Sequence, residues 1–170
     1  MDRTLSNKTP ELSHADSALR ERILAGHLAI LAQVDYFREN FGRAESRWKK
    51  DGTRVTIVDE TISRELFILL EKDFPSDDYC SEEEAETPEP IPTEAEFCWI
   101  LDPVDGTNNY AVGVPECCIS LGLLRHGIPV YGFIYDYGRD NLLQGGKEFG
   151  SIEGTTPVFA ATELVNEKLT

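Results

Sequence analysis

The sequence predicts an α+β fold in which two long helices pack on an antiparallel sheet. Three observations carry this expectation. Two segments before residue 75 place apolar residues every three to four positions, the helical period. Beyond residue 96 the texture changes to short apolar runs separated by turn signals. The chain has 170 residues, 41% hydrophobic and 28% charged, which is enough to bury roughly 70% of its unfolded surface without disulfides.

Taken in order, residues 1–12 are polar, contain Pro10 and read as a disordered tail. Ser13 can cap a helix with Asp16 in its first turn. Leu19, Ile23, Ile30, Leu31, Val34, Phe37 and Phe41 form its apolar stripe, and Gly42 is the stop signal. Val55-Thr56-Ile57-Val58 is a short β-branched run. Asp59 and Glu60 follow at the start of a second helix, where negative charge is favoured. Ile62, Leu66, Leu69 and Leu70 are its buried positions, and Phe74-Pro75 ends it. Phe97 to Leu101 is continuously apolar, as a strand covered on both faces should be, and is expected to stop at Asp102-Pro103. A short helical turn is expected after Asp105-Gly106-Thr107, ending by Gly113-Val114-Pro115. Cys117 to Leu124 and Val130 to Tyr135 read as antiparallel strands around an Arg125-His126-Gly127 turn. Gly138 and Asp140 mark another turn before Asn141-Leu142-Leu143, and Gly145, Gly146, Gly150 and Gly154 suggest a loop-rich end.

The formal net charge is −15, which argues against a nucleic-acid or anionic-membrane partner, since both need a basic face. No apolar run approaches the ~20 residues of a membrane span, and Met1 to Ser13 lacks the apolar core of a secretory leader. Cys80, Cys98, Cys117 and Cys118 show no Cys-x-x-Cys spacing, so reduced thiols in a cytoplasmic protein are expected rather than a zinc site. The negative charge is concentrated. Between Lys72 and Arg125 there are thirteen acidic residues and no Lys or Arg. Glu84 to Glu96, with Pro88, Pro90 and Pro92, reads as a solvated loop. Asp102 and Asp105 differ because apolar sequence surrounds them, and a divalent cation is the simplest way to hold two such charges together.

The segment Trp99 to Thr107 therefore carries the chemistry. A buried strand delivers two carboxylates three residues apart, with Pro103 stiffening the exit, so Asp102, Asp105 and the Val104 carbonyl can address one small volume with hard oxygen ligands. Gly106 and Thr107 offer backbone N–H groups to an anion. Cation ligands beside an anion seat suggest metal-assisted phosphoryl chemistry. Competing motifs fail on spacing. The Asp-x-Asp-x-Thr of a haloacid-dehalogenase-type phosphatase is absent. An EF-hand loop from Asp105 would have Tyr110 where glycine is needed, and there is no Gly-x-x-x-x-Gly-Lys-Ser/Thr.

Trp99-Ile100-Leu101-Asp102-Pro103-Val104-Asp105-Gly106-Thr107 resembles the signature of the inositol monophosphatase family of Mg²⁺-dependent, lithium-sensitive phosphatases. Asp51 to Asp59 is similar to the family's strand and acidic residue before the second helix. Pro75 to Glu83 is similar to its segment ending in Gly-Glu-Glu, and Gly145 to Gly154 to its glycine-rich turn. The resemblance implies the N-terminal domain of the layered sugar-phosphatase fold over residues 13–158, with residues 159–170 beginning a linker to a second domain that this sequence lacks. It implies Mg²⁺ held by Glu82, Asp102, the Val104 carbonyl and Asp105, with Glu83 beside them. Asp59, Thr107 and Glu82 would be catalytic, with Asp59 and Thr107 orienting the attacking water, and Gly106 and Thr107 would hold the phosphate. The implied substrate is a small phosphorylated metabolite, an inositol phosphate or a sugar or nucleotide phosphate, and a homodimer is the corresponding assembly. Two departures from the family pattern stand out. Ser81 replaces the glycine before the Glu pair, which would strain the loop by ~1 kcal/mol if that position needs φ > 0. The family's second-half Trp-Asp motif has no counterpart, since tryptophan occurs only at positions 48 and 99. The expectation is thus a truncated phosphomonoester hydrolase, the alternative being a non-catalytic cation-binding or interaction fragment.

Overall fold

The computed structural model describes residues 15–49, 52–84 and 94–158. Helix α1 (Ser17–Asn40) is capped by Asp16, whose carboxylate accepts from the Leu19 N–H at 2.9 Å. The expected cap, Ser13, lies outside the described residues. The stripe Leu19, Ile23, Ile30, Val34 and Phe37 is buried, and the chain leaves the helix through Gly42 at φ +67°. A short hairpin follows, β1 (Ser46–Trp48) against β2 (Arg54–Thr56). The β-branched run is thus shorter than expected, because Ile57 already opens helix α2 (Ile57–Asp73). Thr56 and Asp59 form a reciprocal capping box there, which favours starting the helix over extending the strand.

Seven strands form the main sheet: β3 (Asp78–Ser81), β4 (Phe97–Asp105), β5 (Cys118–Arg125), β6 (Ile128–Asp136), β7 (Asn141–Gly146), β8 (Gly150–Glu153) and β9 (Thr156–Val158), neighbouring one another in that order. A six-residue helix, α3 (Thr107–Val112), lies between β4 and β5. The pairing is antiparallel except between β3 and β4, which run parallel. The sheet is therefore mixed, and β3 is a strand that its sequence, Asp-Tyr-Cys-Ser, does not announce. The glycine-rich end is stranded too. Gly145 and Gly146 lie in β7, where a Cβ would meet neighbouring backbone atoms at 2.2–2.3 Å, and Gly150 opens β8 at φ +67°.

Helices α1 and α2 pack on one face of this sheet. Gly26 lets α1 approach closely, since a Cβ there would meet the Phe133 and Trp99 rings at 2.8–2.9 Å. The opposite face carries Ile100, Gly122, Gly132, Ile134 and Leu143, and Ile134 is 43% exposed. Among the described residues no helix is long and apolar enough to cross a membrane.

One buried polar junction joins the helix layer to the sheet. The Arg22 guanidinium donates to both oxygens of Asp77, at 2.8 and 2.7 Å, and also lies over the Phe97 ring. The Trp99 indole N–H donates to the same carboxylate at 3.0 Å. Asp77→Ala should lower stability by about 3–5 kcal/mol, because it leaves Arg22 charged and unpaired in a dry setting. Urea denaturation of the variant checks this, and a loss below about 1 kcal/mol would show that water reaches the pair.

Candidate functional site

The residues singled out by the sequence meet at one end of the sheet, where β4 leaves its ladder. Asp102 is registered with Ser120 and Asp105 with Cys118, so three steps along β4 match two along β5. This bulge matters because side chains three apart on a regular strand face opposite sides. With one extra residue, Asp102 and Asp105 share a face. The strand therefore continues through Asp102-Pro103 where the sequence suggested a stop, and Pro103 sits inside the bulge, where no ladder N–H is demanded.

The parallel β3–β4 register pairs Ser81 with Leu101, which sets Glu82, in the short 3₁₀ turn after β3 (Glu82–Glu84), beside Asp102. Burial, followed by contact with the Glu82 carboxylate and by the Asp105 charge, pushes the Asp102 carboxyl up to about 8. These are oxygen donors carrying more negative charge than the protein neutralises, which suits a hard divalent cation. The convergence is incomplete. Among the described residues no group of three or more His, Cys, Asp or Glu side chains already surrounds one ion-sized volume. Glu82 touches Asp102, whereas Asp105, exposed as Glu82 is, accepts from the Cys118 thiol at 3.6 Å. That thiol is held neutral, pushed up to about 12 by burial and by Asp105.

Beside this pair lies a second, drier cluster. Asp59 is 1% exposed, and its Oδ2 accepts from the backbone N–H and hydroxyl of Thr56. Its Oδ1 lies 3.3 Å from the Thr107 hydroxyl, which is also 2.8 Å from the Val104 carbonyl. The hydroxyl proton is shared between these two acceptors, with the shorter contact to Val104 the stronger. Burial raises the Asp59 carboxyl despite the Thr56 and Thr107 hydrogen bonds that oppose the shift. Helix α3 is held in place from its other end. The Tyr110 hydroxyl donates to the Phe37 carbonyl at 2.7 Å, and the Gly42 N–H donates to the Tyr110 carbonyl at 3.0 Å. Gly106, at φ +83°, makes the turn into α3, and a Cβ there would lie 2.7 Å from the Glu116 carbonyl. A hollow of about 720 Å³ opens next to Asp105 and Gly106, with Asn109, Glu116, Asp136 and Arg139 on its walls.

The structure thus places Asp59, Glu82, Asp102, Val104, Asp105, Gly106 and Thr107 in one region. It also adds residues that sequence reasoning missed. Lys49, after β1, pairs with Glu83 at 2.9 Å. Burial lowers its pKa, but Glu83, Glu82 and Asp59 together outweigh this, so the ammonium is a resident countercharge. Burial raises Glu83, and Lys49 opposes that shift. No local signal marks Lys49, since its partner is 34 positions away. Thr56, read in the sequence only as part of a β-branched run, is the first residue of a Thr-x-x-Asp capping box, and that spacing is the signal that could have found it. Ser81 is not strained: it lies outside the positive-φ region, so the expected penalty does not arise. His126 makes the β5–β6 turn at φ +51°.

A family model described as the inositol monophosphatase family matches residues 18–168. The chain belongs to this family. It is 35% identical over 117 residues to inositol monophosphatase 1 of Solanum lycopersicum, covering 68% of this chain and 43% of that protein. The Thermotoga maritima IMPase superposes with a TM-score of 0.73 at 23% identity, over 84% of this chain and 54% of that one. An IMPase/NADP phosphatase complexed with Mg²⁺ and phosphate gives a TM-score of 0.65 at 26% identity, over 78% and 51%. The chain spans half or less of the length of the curated relatives it matches.

Asp102 has a folded-state pKa above its unfolded value, so its contribution to stability is present below about pH 4 and is lost as pH rises towards about 8. Asp102→Asn should therefore raise the cation-free melting temperature at pH 8 by about 2–4 °C and leave it unchanged at pH 4. Calorimetric scans at the two pH values check this. Equal shifts at both would place the effect outside the carboxylate contact.

Proposed function

We propose that this chain carries the cation-binding and water-orienting part of a Mg²⁺-dependent phosphomonoester hydrolase acting on a small phosphorylated metabolite, an inositol phosphate or a sugar or nucleotide phosphate. The observation that carries this reading is the Glu82–Asp102 contact, with Asp105 on the same face and the Thr107–Asp59 pair alongside. Glu82, Asp102, Asp105 and the Val104 carbonyl would hold the cation. When bound there, Mg²⁺ supplies Lewis acidity, making water more acidic and screening the charge of a phosphate.

Thr107 and Asp59 do the work on water. Whenever the Val104 carbonyl is engaged elsewhere, the Thr107 hydroxyl can turn its proton to Asp59 Oδ1. Its oxygen is then free to accept a hydrogen bond from water and aim a lone pair of that water at phosphorus. Asp59, raised by burial, is suited to receive a proton as the water attacks. As the water oxygen bonds to phosphorus the bond to the alcohol oxygen breaks, that oxygen takes a proton from solvent, and no covalent enzyme intermediate forms. The Gly106 and Thr107 backbone would meet the phosphate oxygens, and Asn109, Asp136 and Arg139 in the adjoining hollow offer partners to the hydroxyls of a leaving group. Four free thiols accord with a reducing, cytoplasmic setting.

A second reading is a cation-binding domain without turnover, favoured by the incomplete convergence of the carboxylates, with Asp105 turned to Cys118. Phosphate release from inositol 1-phosphate, fructose 1,6-bisphosphate and adenosine 3′,5′-bisphosphate, measured with and without Mg²⁺, separates the two. The hydrolase reading expects Mg²⁺-dependent release that Asp105→Asn lowers on the order of 10²-fold. Mg²⁺ binding by calorimetry with no release supports the second reading, and absence of binding overturns both.

Thr107→Ala tests the water-orienting pair. It should lower the turnover rate on the order of 10²-fold with little change in Mg²⁺ affinity. A variant with unchanged turnover would remove Thr107 from the mechanism.

A further inference from the structure

We propose that the buried hydroxyl pair Ser63–Ser81 is the positioning device that holds the Glu82–Glu83 turn at its working distance from Asp59. The proposal rests on the reading of Glu82 and Asp102 as cation ligands. The two oxygens are 2.7 Å apart, and Ser81 is fully buried while Ser63 is 4% exposed. Each end of this contact leads directly to the site. Ser63 follows Asp59 by four residues on α2, so the two side chains lie on the same helix face. Ser81 is the last residue of β3, paired with Leu101 one step before Asp102, and Glu82 and Glu83 follow it directly.

The Ser81 hydroxyl has a second task. It also accepts from the Glu83 backbone N–H at 3.4 Å, closing the bend on which both glutamates are displayed. Glu83 is then fixed twice, by Ser81 at its backbone and by Lys49 at its carboxylate. Among the described residues Glu82 has no comparable tether to backbone or to a cation. Its place against Asp102 depends on where Ser81 anchors the turn. Two hydroxyls meeting in a dry layer set that spacing sharply, because neither has water to turn to if the partner shifts. Glycine at position 81 would keep the backbone path and lose both hydrogen bonds, so serine here is a working substitution and not a tolerated one.

Mn²⁺, read by electron paramagnetic resonance, probes the site without requiring turnover. Ser81→Ala should weaken Mn²⁺ binding about tenfold. Ser63→Ala should act in the same direction, Ser63→Thr should restore affinity, and the double alanine variant should be no weaker than Ser81→Ala alone. A purely structural role would lower the melting temperature of the alanine variants and leave the Mn²⁺ affinity of the folded protein within twofold of the parent, which overturns the proposal. Losses that multiply in the double variant also overturn it, since the pair then does not act as one unit. If Ser81→Ala does not fold, Ser63→Ala against Ser63→Thr decides the matter by the same reading. A parent that binds no Mn²⁺ overturns the ligand assignment and this proposal with it, whereas a binding parent with unaffected variants overturns the proposal alone.

Discussion

Two carboxylates, Glu82 and Asp102, are kept in contact although their charges oppose it, and the rest of the site follows from how the fold sustains that contact. Two carboxylates held in contact repel each other when both are charged. Four paired positions of parallel strand, Asp78–Ser81 against Cys98–Leu101, provide the restraint. The Ala95 N–H donates to the Asp78 side chain at 2.9 Å and secures the entry to β4. The Arg22–Asp77–Trp99 junction locks the beginnings of both strands to α1. At the far end the protein relieves part of the repulsion in two ways: Asp102 favours its protonated form, and Lys49 supplies a positive charge next to Glu83.

The helices serve this arrangement as much as they serve the core. Helix α2 begins where it does because Thr56 and Asp59 satisfy each other's backbone groups, and the same Asp59 then has its second oxygen available to Thr107. A residue that α2 needs as a cap thus keeps a second oxygen facing Thr107. Helix α1 contributes from its C-terminal end, where Phe37 and Gly42 hold Tyr110 and with it the short helix that presents Thr107. The Phe37–Tyr110 and Phe41–Tyr137 ring contacts, with centroids 4.6 and 3.9 Å apart, pack the same corner.

How far the sequence alone reaches is clear from particular elements. The two helices and the β5–β6 hairpin were legible because their apolar spacing or turn residues are local signals. The Trp99–Thr107 segment was legible because an apolar strand running into two carboxylates is improbable without a task for them. Strand β3 was not, since Asp78-Tyr79-Cys80-Ser81 shows no alternation and is a strand only because β4 offers it a parallel edge. Strands β7 and β8 were hidden by glycines that read as loop, of which Gly145 and Gly146 are required by close backbone packing. Lys49 and the Ser63–Ser81 contact were invisible for a related reason: each joins residues far apart in the chain, and neither partner is unusual in its own neighbourhood. Asp105 was expected in the same volume as Asp102 and Glu82, and the bulge does bring it to their face, but its side chain turns to Cys118.

The extra residue in β4 has a consequence for how this chain can vary. A strand without insertions keeps odd and even positions on opposite sides for its whole length, so the polarity of one side chain says nothing about a neighbour three places on. Here the alternation is reset once, between Asp102 and Asp105, and everything downstream inherits the reset. Removing a single residue from that interval would send Asp105 to the helix side of the sheet while leaving its identity and its sequence neighbours intact. Length in this short interval is therefore as strict a requirement as composition, and a variant can retain every acidic residue of the site and still lose the arrangement.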